Sequence, residues 1–277
     1  MKLLYPLAKR FIAGHDFDSA KPKIAKLMDE GYEVSIDYLG EKSSNQEDCF
    51  KARRQYIKII NYYSDQKIDI SLKPSQLGLE IHPLLSYLNI STIAKLASRY
   101  GHTVRLDMED SSVTEITRNQ AMALNKKFGN VGVAIQANLY RSREDLRQLR
   151  RARVSVRLVK GAYKESKEKA LQDEGDIQCA FFNYAANLIS ANKPAIGTHD
   201  EEILDDIREM LLYSDNLDYE FLYGVRRDLQ KELKDEGKKV RVYVPFGDQW
   251  LPYTMRRLKE WKNLKFVIKN IWKEWKI

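Results

Sequence analysis

The chain has 277 residues, of which 43% are hydrophobic and 31% are charged, and its formal net charge is +8. This length and composition are typical of a globular protein with one α/β barrel or two smaller domains, and no apolar run is long enough to predict a membrane span. The positive charge permits an acidic partner such as nucleic acid or an anionic membrane surface, although lysines spread over solvated helices are the simpler interpretation.

Short strands alternate with amphipathic helices along the chain, and no linker or low-complexity segment interrupts them. The predicted strands are, in order, 33–38, 68–73, 103–107, 131–136, 154–159, 195–198, 218–222 and 240–244. An extra helix over 19–30 precedes the first strand, and helical periodicity is present between strands in segments such as 47–63, 113–128, 201–212 and 225–236. Eight strand–helix units over residues 1–277 predict one (β/α)8 TIM-type barrel domain with a short N-terminal helical extension.

Several familiar site motifs are missing from the sequence. No G-x-G-x-x-G follows the first predicted strand and no G-x-x-x-x-G-K occurs, which argues against the competing doubly wound open sheet. The histidines are isolated, so we expect no metal site, and no G-x-S-x-G nucleophile elbow is present. The two cysteines, Cys49 and Cys179, form no C-x-x-C pair, so we expect a reducing compartment and a cytoplasmic location.

Polar residues gather at the predicted carboxyl ends of the strands, where (β/α)8 barrels carry their chemistry. Arg157 and Lys160 stand out because a charge in a buried strand is costly unless a partner meets it. Each polar residue taken alone is explained as a satisfied strand-end side chain, but their concentration on one rim indicates a binding site. The full set is Glu41, Lys73, Asp107, Glu109, Asp110, Gln136, Arg157, Lys160, Thr198, His199 and Tyr243.

The last stretch with a clear pattern is L-P-Y-T-M-R-R-L-K-E, which predicts a helix with one charged face. Tyr253, Arg256, Arg257 and Glu260 lie three, four and seven residues apart and therefore share that face. Two interpretations remain open. The face is either a solvated outer stripe or a carboxylate clamp, because two arginines can bind a carboxylate through paired hydrogen bonds.

A series of motifs resembles the proline dehydrogenase family from about residue 10 onward. In chain order they are R-F-I-A-G, D-Y-L-G-E, S-L-K-P-S-Q-L-G-L, V-R-L-D-M-E-D-S, A-I-Q-A, V-R-L-V-K-G-A-Y-K-E, G-T-H-D, L-Y-G-V-R and V-R-V-Y-V-P-F-G-D-Q-W-L-P-Y-T-M-R-R-L-K-E. The resemblance implies a distorted (β/α)8 barrel that binds FAD, oxidises L-proline to Δ1-pyrroline-5-carboxylate and passes electrons to a quinone. Because the chain has no room for an aldehyde dehydrogenase domain, we expect the monofunctional form.

The same resemblance implies a role for individual residues. Around FAD it implies Gln136, Arg157, Val159, Lys160, Gly161, Ala162, Tyr163, Thr198, His199 and Glu260, with Arg157 beside the flavin N5. Around proline it implies Lys73, Asp107, Tyr243, Tyr253, Arg256 and Arg257, of which Lys73, Asp107 and Tyr243 join Arg157 as catalytic residues. Glu41 would pair with Arg256 as the site closes. One departure is Glu220, which stands where the family commonly has Gln.

Two other functions compete with this interpretation. A class I aldolase on the same barrel would form a Schiff base on Lys73 or Lys160, but it leaves the Tyr-Arg-Arg-Glu face unexplained. A non-enzymatic nucleic-acid binder would use the positive charge, but no RNA-binding motif is present and we expect no nucleic-acid partner. Flavin bound to the purified protein would exclude both of these functions. The sequence does not indicate an oligomeric state.

The segment 261–277, W-K-N-L-K-F-V-I-K-N-I-W-K-E-W-K-I, places tryptophans and aliphatic residues at helical spacing among lysines. Packing against the barrel is the simpler interpretation of such an apolar stripe. The alternative is an interfacial helix that associates peripherally with the inner face of a membrane, which would suit an enzyme that reduces a lipid-soluble quinone.

Overall fold

The computed structural model describes residues 8–210 and 216–260, with side chains described up to Arg257. The strands are β1 (Glu33–Tyr38), β2 (Asp69–Leu72), β3 (Thr103–Leu106), β4 (Val131–Gln136), β5 (Ser155–Val159), β6 (Ala195–Gly197), β7 (Asp218–Leu222) and β8 (Lys239–Phe246). The helices are α1 (Phe17–Asp29), α2 (Gln46–Tyr62), α3 (Pro83–Arg99), α4 (Thr114–Phe128), α5 (Ser142–Arg151), α6 (Glu174–Leu188), α7 (Glu201–Met210), α8 (Arg227–Asp235) and α9 (Trp250–Glu260).

The eight strands form a closed barrel in chain order, and every neighbouring pair is parallel. Ile36 of β1 lies opposite Ile70 of β2 and Val244 of β8, so the first and last strands close the barrel. This confirms the (β/α)8 fold predicted from the alternation of strands and helices. Among residues 8–210 and 216–260, no helix combines the length and apolarity needed to cross a bilayer.

Local chemistry explains where the helices begin and end. Asp16 accepts a hydrogen bond from the Ser19 amide and caps α1, and Asn45 caps α2 in the same way. The helix α4 ends at Gly129, whose φ of 75° needs a residue without a side chain. The helix α8 begins after Arg226, whose φ of 49° interrupts the helix predicted over 225–236.

The apolar core lies mainly between the strands and the surrounding helices. The barrel interior, by contrast, contains charges at its amino-terminal end. Asp69 accepts hydrogen bonds from Ser35 and Thr103 and lies 3.5 Å from Arg105. Burial by itself raises the pKa of Asp69, but Arg105 and Arg241 outweigh it and hold the pKa well below its usual range. Ion pairs between Asp69 and the arginines Arg105 and Arg241 therefore occupy this end of the barrel interior.

The barrel departs from the regular pattern at its two terminal helices. The leading helix α1 packs against β1 and β8, on the outside of the barrel where these strands meet. The final helix α9 instead places Tyr253, Arg256 and Arg257 along a cavity at the carboxyl ends of the strands. A helix from the end of the sequence thus covers the mouth of the barrel. The segment 261–277, for which packing against the barrel and an interfacial helix both remain open, lies outside the described residues.

Candidate active site

A cavity of about 1060 Å³ lies at the carboxyl ends of the strands, under α9. Every site residue implied by the family resemblance lines it where the side chain is described: Glu41, Lys73, Asp107, Gln136, Arg157, Val159, Lys160, Gly161, Ala162, Tyr163, Thr198, His199, Tyr243, Tyr253, Arg256 and Arg257. Glu260 belongs to α9, but its side chain lies outside the described part of the chain. Glu109 and Asp110 do not line the cavity and accept hydrogen bonds from Ser75 and Ser112 instead.

Arg157 lies at the bottom of the cavity, only 5% exposed, and is held between two carboxylates. Its guanidinium donates to Asp107 and, at 2.5 Å, to Oε1 of Glu220, and it lies over the ring of Tyr243 with Cζ 5.3 Å from the ring centre. Burial lowers the pKa of Arg157, but Glu220 and Asp107 outweigh burial and raise the pKa above its ordinary value. The cavity therefore has a fixed cation at its base.

Lys73 forms a second buried charge cluster beside the first. Its Nζ lies 3.1 Å from Asp37 and 3.6 Å from Asp107, and the Tyr243 hydroxyl donates to Asp107 at 2.7 Å. Burial lowers the pKa of Lys73, but Asp37 and Asp107 together raise it above its ordinary value. Because a protonated amine has no lone pair, this environment disfavours the Schiff base that an aldolase would need on Lys73.

Sequence reasoning missed two buried carboxylates of these clusters. Asp37 pairs with Lys73, and Glu220 pairs with Arg157. Burial raises the pKa of Asp37, while the charge of Lys73 opposes that rise. The available signal was the period-two alternation of β1, since Ser35 and Asp37 are both fully buried in a barrel strand. Glu220 was noticed only as a departure from the family and received no role.

The loop after β5 is fixed to the barrel by Gln136. The Gln136 side chain accepts a hydrogen bond from the Ala162 amide and donates one to the Glu109 carbonyl. Gly161 has a φ of 125°, and a side chain there would collide with Asn138. The close approach that requires glycine at this position is therefore to the Asn138 side chain.

His199 faces the cavity as a neutral hydrogen-bond donor. The Leu222 amide donates to its Nε2 at 3.0 Å, so the neutral ring carries its proton on Nδ1. Burial, together with the nearby cations Arg257 and Arg226, lowers the pKa of His199 to about 3. Lys160, on the same side of the cavity, pairs with Asp200 at 2.8 Å.

At the mouth of the cavity, an ion pair links the loop after β1 to α9. The Arg256 guanidinium donates to both oxygens of Glu41, at 2.5 and 3.0 Å. Arg257 lies over the ring of Tyr253, which is 6% exposed, with Cζ 5.4 Å from the ring centre. The charged face of α9 is turned toward the cavity, which favours the clamp over a solvated outer stripe.

Comparison with known proteins adds an independent line of evidence. The sequence model described as Proline dehydrogenase matches residues 20–269. This chain belongs to the proline dehydrogenase family. It is 34% identical over 275 residues to Proline dehydrogenase 1 of Bacillus subtilis subsp. natto, with 96% of this chain and 91% of that protein covered. It is 35% identical over 283 residues to the proline dehydrogenase of Deinococcus radiodurans, with 98% and 91% covered.

Solved structures of proline utilization A (PutA) share the fold. The protein from Bdellovibrio bacteriovorus, inactivated by N-propargylglycine, aligns with a TM-score of 0.86 and 23% identity over 94% of this chain and 33% of that one. A PutA mutant from Bradyrhizobium japonicum aligns with a TM-score of 0.76 and 20% identity over 91% of this chain and 30% of that one. The chain thus spans about a third of these structures, and at such identities the likeness shows the fold alone.

Membership of the proline dehydrogenase family identifies the chain as an oxidoreductase acting on proline and implies a flavin cofactor. The residues present fit a flavin. Ligand pockets usually measure about 300–1,000 Å³, so this cavity is large enough for a dinucleotide-sized group. It offers a fixed cation at Arg157, a neutral donor at His199 and an amide at Gln136. In addition, Oε2 of the buried Glu220 accepts no hydrogen bond from any described residue.

Proposed function

We propose that this chain binds FAD in the cavity at the barrel mouth, oxidises L-proline to Δ1-pyrroline-5-carboxylate and passes the electrons to a quinone. The observation that carries the proposal is the joint placement of Arg157, Arg256 and Arg257 on one cavity. A buried cation at the base suits a group that gains negative charge, and an arginine pair at the mouth suits a carboxylate.

The proposed cofactor residues are Gln136, Arg157, Val159, Lys160, Gly161, Ala162, Tyr163, Thr198, His199 and Glu260. When bound, FAD would supply the acceptor for the hydride of proline C5. We assign Arg157 to the N5 side of the flavin, where a fixed positive charge stabilises the negative charge that develops. Asp107 and Glu220 hold the Arg157 guanidinium in place, so little reorganisation is needed during the reaction.

The proposed substrate residues are Lys73, Asp107, Tyr243, Tyr253, Arg256 and Arg257. We assign Arg256, which donates to both oxygens of Glu41, mainly to closure, and we assign Arg257 as the main donor to the proline carboxylate. Tyr243 and Tyr253 are both buried and line the cavity, and we assign them to pack against the pyrrolidine ring. The closed Glu41–Arg256 pair keeps water from the reacting atoms.

Three further features belong to the same proposal. The electron acceptor is a quinone, and the protein is cytoplasmic and associates peripherally with the inner face of the membrane through 261–277. The chain forms one domain over 1–277, which is supported by the closure of a single barrel by β1 and β8. No nucleic acid takes part.

The product and the acceptor can be tested together. Purified protein is incubated with L-proline and a short-chain ubiquinone, and Δ1-pyrroline-5-carboxylate is trapped with o-aminobenzaldehyde. We expect trapped product in proportion to quinone reduced. Quinone reduction without trapped product would contradict the assigned reaction, and product formation that depends on oxygen but not on quinone would contradict the assigned acceptor. A borohydride-stable adduct on Lys73 would favour the aldolase instead.

A further inference from the structure

The proposed function uses Glu220 only to hold Arg157 in place, and it gives no role to the negative charge or to the second oxygen of this carboxylate. Glu220 lies on β7, is 3% exposed and lines the same cavity as Arg157. Its Oε1 accepts a hydrogen bond from Arg157 Nη1 at 2.5 Å, while its Oε2 accepts none from any described residue. An unpaired buried carboxylate destabilises the folded state, and the ion pair with Arg157 offsets this destabilisation at Glu220.

The charge of Glu220 changes the electrostatics at the base of the cavity. Arg157 is paired by Asp107 on one side and by Glu220 on the other, so two carboxylates flank one cation. A glutamine at this position could accept the same hydrogen bond without adding a negative charge. Arg157 then would present more of its positive charge to a ligand in the cavity.

We propose that Glu220 is a positioning residue that fixes Arg157 and whose charge lowers the affinity of this site for negative charge on the flavin. The inference rests on the proposed function, because it concerns the group that Arg157 faces. It predicts that the flavin of this chain is harder to reduce than the flavin of a variant with Gln at position 220. The hydrogen bond from Arg157 to Glu220 fixes the position of the guanidinium, and the negative charge of Glu220 reduces the positive potential that the guanidinium presents to the cavity.

Sulfite provides a direct probe, because its lone pair adds to oxidised flavin and the negatively charged product bleaches the flavin absorbance. Glu220→Gln keeps the shape and the acceptor but removes the charge. A unit charge a few ångströms away in a buried site changes an anion's affinity by about tenfold or more. We therefore expect sulfite to bind E220Q at least about tenfold more tightly than the original protein, and E220Q to be the more reduced of the two against a common reference dye.

A matched control is Asp145→Asn. Asp145 is another buried carboxylate paired with an arginine, Arg118, and it does not line the cavity. D145N should leave sulfite affinity unchanged. A second variant, Glu220→Asp, keeps the charge but shortens the side chain, so sulfite affinity should stay within a few-fold of the original while reduction by proline slows. If E220Q fails to fold, sulfite binding by E220D that is about tenfold tighter than that of the original protein would still contradict the role of the charge.

The outcomes separate this inference from the proposed function. Equal or weaker sulfite binding by E220Q, in protein that carries flavin and is reduced by proline, would overturn the role of Glu220 alone. Tighter binding by E220D, equal to that of E220Q, would also overturn it. An original protein that binds no flavin would overturn the proposed function and this inference with it.

Discussion

At the scale of single residues, the site consists of charges whose protonation is fixed by their neighbours. Arg157 and Lys73 are both buried, yet paired carboxylates keep the pKa of each above its ordinary value. His199 shows the opposite effect, because burial and two cations keep it neutral. Arg157, Lys73 and His199 therefore keep their charge states near neutral pH, and they act through their positions and through a constant electrostatic field.

Replacing Arg157 by Met tests the fixed cation directly. Loss of one well-placed charge of this kind usually slows the chemical step by ~100-fold or more. We expect Arg157→Met to retain flavin less tightly and to slow flavin reduction by proline by about this factor, measured by anaerobic stopped-flow absorbance. Arg118→Met, which removes a buried arginine away from the cavity, is the control. Unchanged reduction in R157M would show that Arg157 does not face the flavin.

The neutral His199 predicts a dependence of stability on pH. Its pKa is 6.5 in an unfolded chain and about 3 in the folded protein, so between these pH values the unfolded state binds a proton at His199 and the folded state does not. The contribution of neutral His199 to the free energy of unfolding is fully present above pH 6.5. It falls as the pH drops toward about 3, by up to about 1.4 kcal/mol per pH unit. His199→Gln removes this loss. Urea unfolding across this pH window should show the variant gaining stability relative to the original protein, whereas parallel curves would contradict the assignment.

At the scale of elements, α9 is the part that completes the site. It follows β8 in sequence but covers the mouth of the barrel, and its Arg256 reaches back to Glu41 beyond β1. Arg256 and Arg257 are adjacent in sequence yet have different partners, since Arg257 lies over Tyr253. The two arginines should therefore have separable functions.

Substitutions on α9 and its partner test that separation. Arg257→Met should raise the KM for L-proline, because losing a charged contact to a buried carboxylate costs about 2 kcal/mol or more, and flavin content should stay normal. Glu41→Gln and Arg256→Met should both impair closure, and the double variant should be little worse than either single one. Steady-state kinetics of the three single variants and the double variant gives kcat and KM for L-proline in each. Strictly additive effects of the Glu41 and Arg256 substitutions would contradict the ion pair as the closing contact.

At the scale of the whole molecule, the barrel could be predicted because strand and helix periodicities alternate without interruption, and strand ends in such a barrel must meet on one rim. The position of α9 over the mouth of the barrel could not be predicted, because it depends on tertiary packing that the residue pattern of the helix does not encode. Asp37 and Glu220 were missed since each lies inside a strand whose polar members can equally be paired for stability. The glycine at 161 was found, but its contact with Asn138 depends on a loop conformation that sequence does not specify.

The most direct test of the central claim is anaerobic titration of the purified protein with L-proline while flavin absorbance is followed. The account predicts a yellow protein with one flavin per chain, bleached by L-proline and restored by a quinone, in which bleaching requires Arg157. A colourless protein that takes up no FAD, or bound flavin that L-proline leaves oxidised, would contradict the claim that this cavity is where proline is oxidised.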